Sequence, residues 1–351
     1  MSTRIEHIDI AKGISIVLVA LFHSELRGFF PSIIEPMALF RMPLFFFLAG
    51  LFFSWSQPPE TFFYKKSEAL LKPYFSVLLL LFLASFLKGD SQLSRQFIGI
   101  LYGNADTIRW GPMWFLTHLF AVYCFCYGLF RYTGLGKLTP IARWAIAMVF
   151  LVVGVYNLAL FRNLEISLGD ATLAAGGLPF SADIILVTSA FFMAGHLLRR
   201  SVVNFQPNHT LFGLSLFIFI LIAALGEAHL DLNLRVFTAP LWVILGAALG
   251  IYMVLHISML LARTGMARTV LVAVGSASLY ILIFHHWVGG KAYQFLSGVA
   301  SAHVNALVLS LIAFLISILV PMGIRTVIHR SDFLALFFLP FRANRSLQQG
   351  V

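Results

Sequence analysis

Long, nearly charge-free stretches follow one another along this chain, and they limit the folds open to it more than any other feature. A helix needs about 20 mainly apolar residues to cross the hydrocarbon core of a bilayer. Ten segments approach that requirement, near 10–30, 36–56, 72–89, 113–131, 141–161, 182–199, 210–228, 236–261, 269–289 and 303–328. A membrane β-barrel would show short segments of alternating polarity instead, and none is visible. Composition agrees: 60% of the 351 residues are hydrophobic and 11% are Asp, Glu, Lys or Arg, against about 25% charged in a soluble domain. Such a chain could not cover its own surface in water. The expected fold is an all-α integral membrane protein, with about ten transmembrane helices in one bundle and both termini cytoplasmic.

Lysine and arginine placement sets the orientation. With the N-terminus inside, 16 of the 24 basic residues fall on cytoplasmic segments and 8 on the opposite side. An odd number of spans would spoil this alternation. The net charge of +10 therefore reads as topology and contact with anionic lipids. It does not read as nucleic-acid binding, because no basic cluster accompanies a soluble module. Ten spans with short links use nearly the whole length, so residues 1–351 are expected to form a single transmembrane domain without an appended soluble domain. The charged start of the first span, with no small-residue cleavage site behind it, argues against a cleaved signal. Segments 88–112 and 162–181, on the outer side and rich in turn formers, are expected to frame an outward-facing mouth. Cys124 and Cys126 share one apolar span at i and i+2, point in different directions and read as packing residues.

Ionisable residues inside a span are costly and mark candidate functional sites. The first span carries Arg4, Asp9, Lys12 and His23. Asp9 and Lys12, at i and i+3, can neutralise one another. Lys12 and His23 are eleven residues apart, about three turns, which returns to the same helix face about 16 Å further on. Taken singly, Arg4 reads as a positive-inside anchor, Lys12 as a snorkelling side chain and His23 as a histidine satisfied within the bundle. Together on one face they are harder to explain as packing. The second span opens with Arg41 followed closely by Pro43, a proline expected in the first helical turn. The short connection puts Arg41 on the same outer side as His23. The absence of HExxH, CxxC or clustered carboxylates gives no reason to expect a metal site.

At these residues the chain resembles a family, the membrane-bound acyltransferase family 3, and in particular its fucose O-acetylase-like polysaccharide acetyltransferases. The resemblance rests on HIDIAKGISIVLVALFH (7–23), ALFRMPLFFFLAGLFF (38–53), KKSEALLKPY (65–74), PMWFLTHLFAVY (112–123) and GSASLYILIFHHWV (275–288). The order and spacing of these stretches match too, and the family's basic residue, ten-residue gap and histidine are met by Lys12 and His23. The resemblance implies transfer of an acyl group, usually acetyl, from coenzyme A in the cytoplasm to a hydroxyl of a glycan or lipid-linked sugar, in a bacterial inner membrane. His23 would then deprotonate the acceptor hydroxyl or carry the acyl group transiently. A neutral imidazole suits such work near pH 7. Arg41 would stabilise negative charge on the thioester oxygen or grip the acceptor, with Asp9 counted in the same catalytic group. Lys12, Lys72 and Arg4 would attract the phosphates of acetyl-CoA, with Lys65 or Lys66 at the same face. Trp114, Tyr280, His285 and His286 would line the acceptor site. Adjacent histidines point about 100° apart on a helix, so only one of His285 and His286 is expected to face it. His118, His196 and His256 are left as bundle or interface residues.

The chain departs from the family where many relatives carry arginine at the position of Lys12, which keeps the charge and loses the bidentate fork. Relatives often have serine where this chain has Ala49. A secondary transporter or flippase is the main alternative. Such proteins usually carry inverted repeats with paired broken helices, whereas here the charges concentrate in the first two spans.

Overall fold

The structure, a computed structural model, describes residues 5–161, 164–168, 171–299 and 304–341. Arg4, expected at the donor site, lies outside the described residues. Helices cover all ten expected segments: α1 (Glu6–Phe22), α2 (Ala38–Leu51), α3 (Lys72–Leu87), α4 (Trp114–Tyr132), α5 (Pro140–Phe161), α6 (Ile185–Leu197), α7 (His209–Leu225), α8 (Pro240–Leu261), α9 (Gly265–Ser276) with α10 (Ser278–Val299), and α11 (Ala306–Arg330). A short α12 (Asp332–Phe338) follows. Strand pairing among the described residues is limited to two hairpins, Glu165–Leu168 with Ala171–Ala174 and His229–Asp231 with Val236–Thr238. Among the described residues seven helical stretches are long and apolar enough to cross a membrane, and eight if α9 and α10 count as one bent span. The helices α1 and α7, at 17 residues each, fall short of that length, and α2, α3 and α6 reach it only together with the helical turns that precede them. The chain is thus an all-α, multi-pass membrane protein by the length and composition of its helices.

Two local expectations need correction. The segment expected as one ninth span is broken: α9 and α10 meet at an angle of 83°. Ala277, at φ −96° and ψ 5°, steps out of the helical line between them. Pro43 does not sit in a first turn. Helix α2 begins at Ala38, so Pro43 lies inside it, where it removes one backbone donor and loosens the turn carrying Leu39 and Arg41.

The contacts divide the chain into two compact units. The first comprises Met1–Leu51, Leu198–Asp231 and Val236–Thr326. Within it α1 is central, packed on α2, α8, α9 and α10. Small residues allow the closest of these approaches: a Cβ added at Gly13 would collide with the Leu271 carbonyl of α9, and one at Gly275 with the Asp9 carbonyl of α1. Backbone cannot yield as a flexible side chain can, so Gly13→Ala and Gly275→Ala are each expected to cost about 1–3 kcal/mol. Thermal unfolding of the purified variants in nanodiscs checks this, and unchanged midpoints would show that the two helices can part without cost.

The second unit comprises Phe52–Leu197, Leu232–Arg235 and Val327–Val351. Here α6 packs on α4 and α5. The segments 88–112 and 162–181, expected to frame an outward-facing mouth, are hydrogen-bonded to each other. Asn104 donates to the carbonyls of Ala175 and Gly177, and Tyr102 Oη donates to the Gly177 carbonyl at 2.7 Å. At their junction Arg235 makes two bonds to Asp183, Nε to Oδ2 at 2.9 Å and Nη2 to Oδ1 at 3.2 Å, and both side chains are fully buried. Phe180, Ser181 and Arg235 hold positive φ values of 56°, 52° and 55° around this pair, a conformation that non-glycine residues keep only when packing imposes it. Removing one partner of a buried pair leaves the other charge uncompensated, so Arg235→Ala is expected to destabilise this unit by about 3–5 kcal/mol. Urea or thermal unfolding of the variant tests it, with a loss below about 1 kcal/mol as the contrary result.

Candidate functional site

The candidate site lies in the first unit, where α1 ends. Helix α1 stops at Phe22 because His23 adopts φ −92° and ψ 6°, outside helical geometry, while its N–H still bonds to Val19 O at 3.3 Å. Leaving the helix frees the His23 side chain from the α1 surface, and it stands exposed. The broken span then supplies its neighbours. His285 and His286, about two turns into α10, both bring ring centroids to 5.3 Å from the His23 ring, and lie 6.4 Å from each other. The expectation that only one of the adjacent histidines faces the site is therefore corrected. The 100° between them holds, but His23 sits past the end of its own helix and its ring reaches both.

His285 is 1% exposed. Its Nδ1 donates to the carbonyls of Ile281 at 2.7 Å and Leu282 at 3.1 Å. A carbonyl can only accept, so the proton is on Nδ1. Its Nε2 is then a bare lone pair, and that atom is buried without a hydrogen-bond partner. His286, by contrast, is exposed.

Arg41 enters from α2. It is 7% exposed, with its guanidinium carbon 3.5 Å from the centroid of the Phe22 ring. Arg27, paired with Glu35 at 2.6 Å, lies 4.0 Å from that same centroid. The Phe22 ring in turn meets the His23 ring edge to face at 5.4 Å. Arg41 lies within electrostatic range of His23, and its Nη1 is buried without a hydrogen-bond partner. A guanidinium with an unspent N–H in a low-dielectric setting is a receptor for an anionic or carbonyl oxygen.

Beside the three histidines lies a partly open pocket, about 410 Å³ of non-atom space when the open solvent at its mouth is included, lined by His23, His285, His286, Ala20, Ser24, Glu25, Gly289, Gly290, Ser310, Ala313, Phe314 and Ser317. The α11 members and the glycine pair were not singled out from the sequence. Ser310 and Ser317 are spaced seven apart, two helical turns on one face, and Gly289–Gly290 follow shortly after the histidines; both signals are legible in retrospect.

The remaining expected residues lie elsewhere. Asp9 and Lys12 form an ion pair at 3.2 Å near the start of α1, with Lys12 about 16 Å along the helix from His23. Asp9 thus partners Lys12 and does not belong to the histidine group. Tyr280 is buried on α10, 3% exposed, and is not among the cavity-lining residues. Lys72 and Trp114 belong to the second unit. Lys72 pairs with Glu68 at 3.1 Å, donates to Leu339 O at 2.7 Å and sits 3.6 Å from the Phe341 ring centroid. It caps a π-helical turn, Ser67–Leu71, a feature frequent at functional sites. Trp114 is 8% exposed, its ring 5.7 Å from that of His118. His118 donates from Nδ1 to Phe180 O at 3.0 Å and its Nε2 lies 2.9 Å from Thr188 Oγ1, whose hydroxyl also reaches the Ile184 and Ile185 carbonyls at 3.1 Å, a satisfied bundle histidine.

Three imidazoles, one of them with a fixed bare nitrogen, beside an arginine with an unspent donor and a polar cavity, can move a proton and hold developing negative charge. No curated protein and no solved structure matches the chain. A model of the family described as an acyltransferase domain matches residues 5–326, nearly the whole length. The chain belongs to the membrane-bound acyltransferase family 3 and is a membrane acyltransferase.

Proposed function

We propose that this acyltransferase moves an acetyl group from coenzyme A to a hydroxyl of a cell-surface glycan or lipid-linked sugar, as in the fucose O-acetylase-like branch, in a bacterial inner membrane. In this reading about ten helices span the bilayer, the termini are cytoplasmic and anionic lipids contact the basic cytoplasmic ends. The observation that carries it is the grouping of His23, His285 and His286 around one polar cavity, with Arg41 close by. Acetyl-CoA supplies the activated acyl carbon of a thioester. The chain's own residues do the rest: His23 acts as general base or transient acyl carrier, and Arg41 Nη1 holds the thioester oxygen as charge develops on it. Lys12 has a third of its side chain exposed and draws the donor's phosphates. A transporter would need these polar groups along a translocation path; their concentration around one cavity favours a reaction centre.

The reading is tested with the purified protein in nanodiscs, radiolabelled acetyl-CoA and a panel of cell-envelope glycans. Label is expected on a glycan as an alkali-labile ester, in amounts that depend on both substrates. A folded protein that neither binds nor consumes acetyl-CoA would overturn acetyl-CoA as the donor, and transfer from succinyl-CoA alone would reassign the acyl group.

A further inference from the structure

One aromatic ring stands between the two groups given the reaction. The Arg41 guanidinium carbon lies 3.5 Å from the Phe22 ring centroid, and that of Arg27 lies 4.0 Å from it. Two planar guanidinium groups at these distances would overlap on one face of a ring, so they occupy opposite faces. With both faces taken, the contact with His23, centroids 5.4 Å apart and planes at 88°, directs the Phe22 edge at the imidazole face. A phenyl ring is negative on its faces and positive at its edge. Each neighbour therefore meets the complementary region, cations the faces and the imidazole π-cloud the edge.

The two arginines are held differently. Arg27 is tied to Glu35 at 2.6 Å, and both side chains are nearly half exposed. Arg41 is buried, and its Nη1 has no hydrogen-bond partner, so no bond at that nitrogen fixes the direction of its N–H. The ring face supplies the missing constraint. A guanidinium stacked flat keeps its N–H groups in the plane of the fork and clear of the ring.

We propose that Phe22 is a positioning residue: its ring holds the Arg41 guanidinium flat and sets its place relative to His23, with the Arg27–Glu35 pair closing the opposite face. The proposal rests on the acyltransferase reading, in which Arg41 Nη1 meets the oxygen of the same acyl group that His23 serves. A donor of this kind works by being fixed before charge develops, and a misplacement of about 1 Å can cost about 10²-fold in rate. Phe22 and His23 are consecutive in the chain. A guanidinium stacked on the first is thereby tied to the backbone that carries the second.

The full-length protein in nanodiscs, with labelled acetyl-CoA and a cell-envelope glycan fraction, tests this through the electronics of the ring. Phenylalanines carrying one, two and three ring fluorines, incorporated at position 22, keep the shape of the side chain and weaken the negative potential of its faces step by step. The kcat is expected to fall along that series while the Kd for acetyl-CoA stays at the wild-type value. Phe22→Leu is expected to lower kcat by about 10–30-fold, the factor that a desolvated cation–π contact corresponds to. Independently of turnover, phenylglyoxal is expected to modify Arg41 progressively faster along the fluorinated series and in Phe22→Leu. Mass spectrometry reads this, with the exposed Arg109 as reference. A kcat that does not follow fluorination, wild-type kcat in Phe22→Leu, or unchanged modification of Arg41 would each overturn the assignment. If Phe22→Leu does not fold, the fluorinated series decides. A wild type that transfers no label defeats the acyl-transfer reading, while phenylglyoxal still decides whether the ring holds Arg41.

Discussion

Acyl transfer by His23→Ala is expected to fall by about 10²–10⁴-fold, the usual loss when a positioned acid–base group is removed. The folded state should hardly notice. His23 ends α1 as an exposed residue, so alanine there opens no cavity in a packed core, and exposed substitutions of this kind shift stability by about 0.5 kcal/mol or less. The variant should therefore keep the wild-type unfolding midpoint and lose its rate. The check is paired: initial rates of label transfer to glycan, and thermal unfolding, on the same preparations. A large drop in midpoint would make the lost rate uninformative, and the milder His23→Gln would then replace alanine.

Arg41 is the second large effect. Its removal is expected to cost about 10²–10³-fold in kcat, as for loss of a donor aimed at developing charge. Arg41→Lys should not restore the rate. The planar guanidinium stacks at 3.5 Å from the Phe22 centroid while Nη1 remains unspent, and an ammonium cannot both lie flat on that ring and present a donor in the same direction. Loss of the stacked cation should also cost up to about 2 kcal/mol of stability, so rates are compared well below the unfolding midpoint. Equal kcat in wild type and Arg41→Lys would show that charge alone, and not the fork, is needed.

The sequence made the apolar helices legible because a 20-residue apolar run has few alternative fates. It also made His23 and Arg41 legible, since ionisable groups inside such runs are conspicuous. What it hid were tertiary consequences of small local choices. Nothing in GSASLYI announces that Ala277 turns the chain by 83°, yet that turn separates α9, packed against α1 through Gly275, from α10, which carries the two histidines. The 100° rule for adjacent residues was sound for α10 and misleading for the site, because it takes no account of where the partner side chain originates. Asp9 shows the converse. Its i, i+3 pairing with Lys12 was readable and is present at 3.2 Å, but helical rise alone sets it far from His23. The serine hydroxyls of the cavity were invisible in sequence, since whether a serine donates to its own helix or to a ligand is decided by its rotamer. The Asp183–Arg235 pair, 52 residues apart, had no periodicity to reveal it.

That an imidazole at position 23 performs the chemistry is tested most directly by restoring one. Transfer of label from acetyl-CoA to glycan would be measured in nanodiscs for the wild type and for His23→Gly, each with and without added imidazole. The account predicts loss of transfer in the variant and a concentration-dependent return of rate with imidazole, which enters the space vacated beside His285 and His286. Wild-type rates in His23→Gly without imidazole would contradict it, and would move the reaction away from the end of α1.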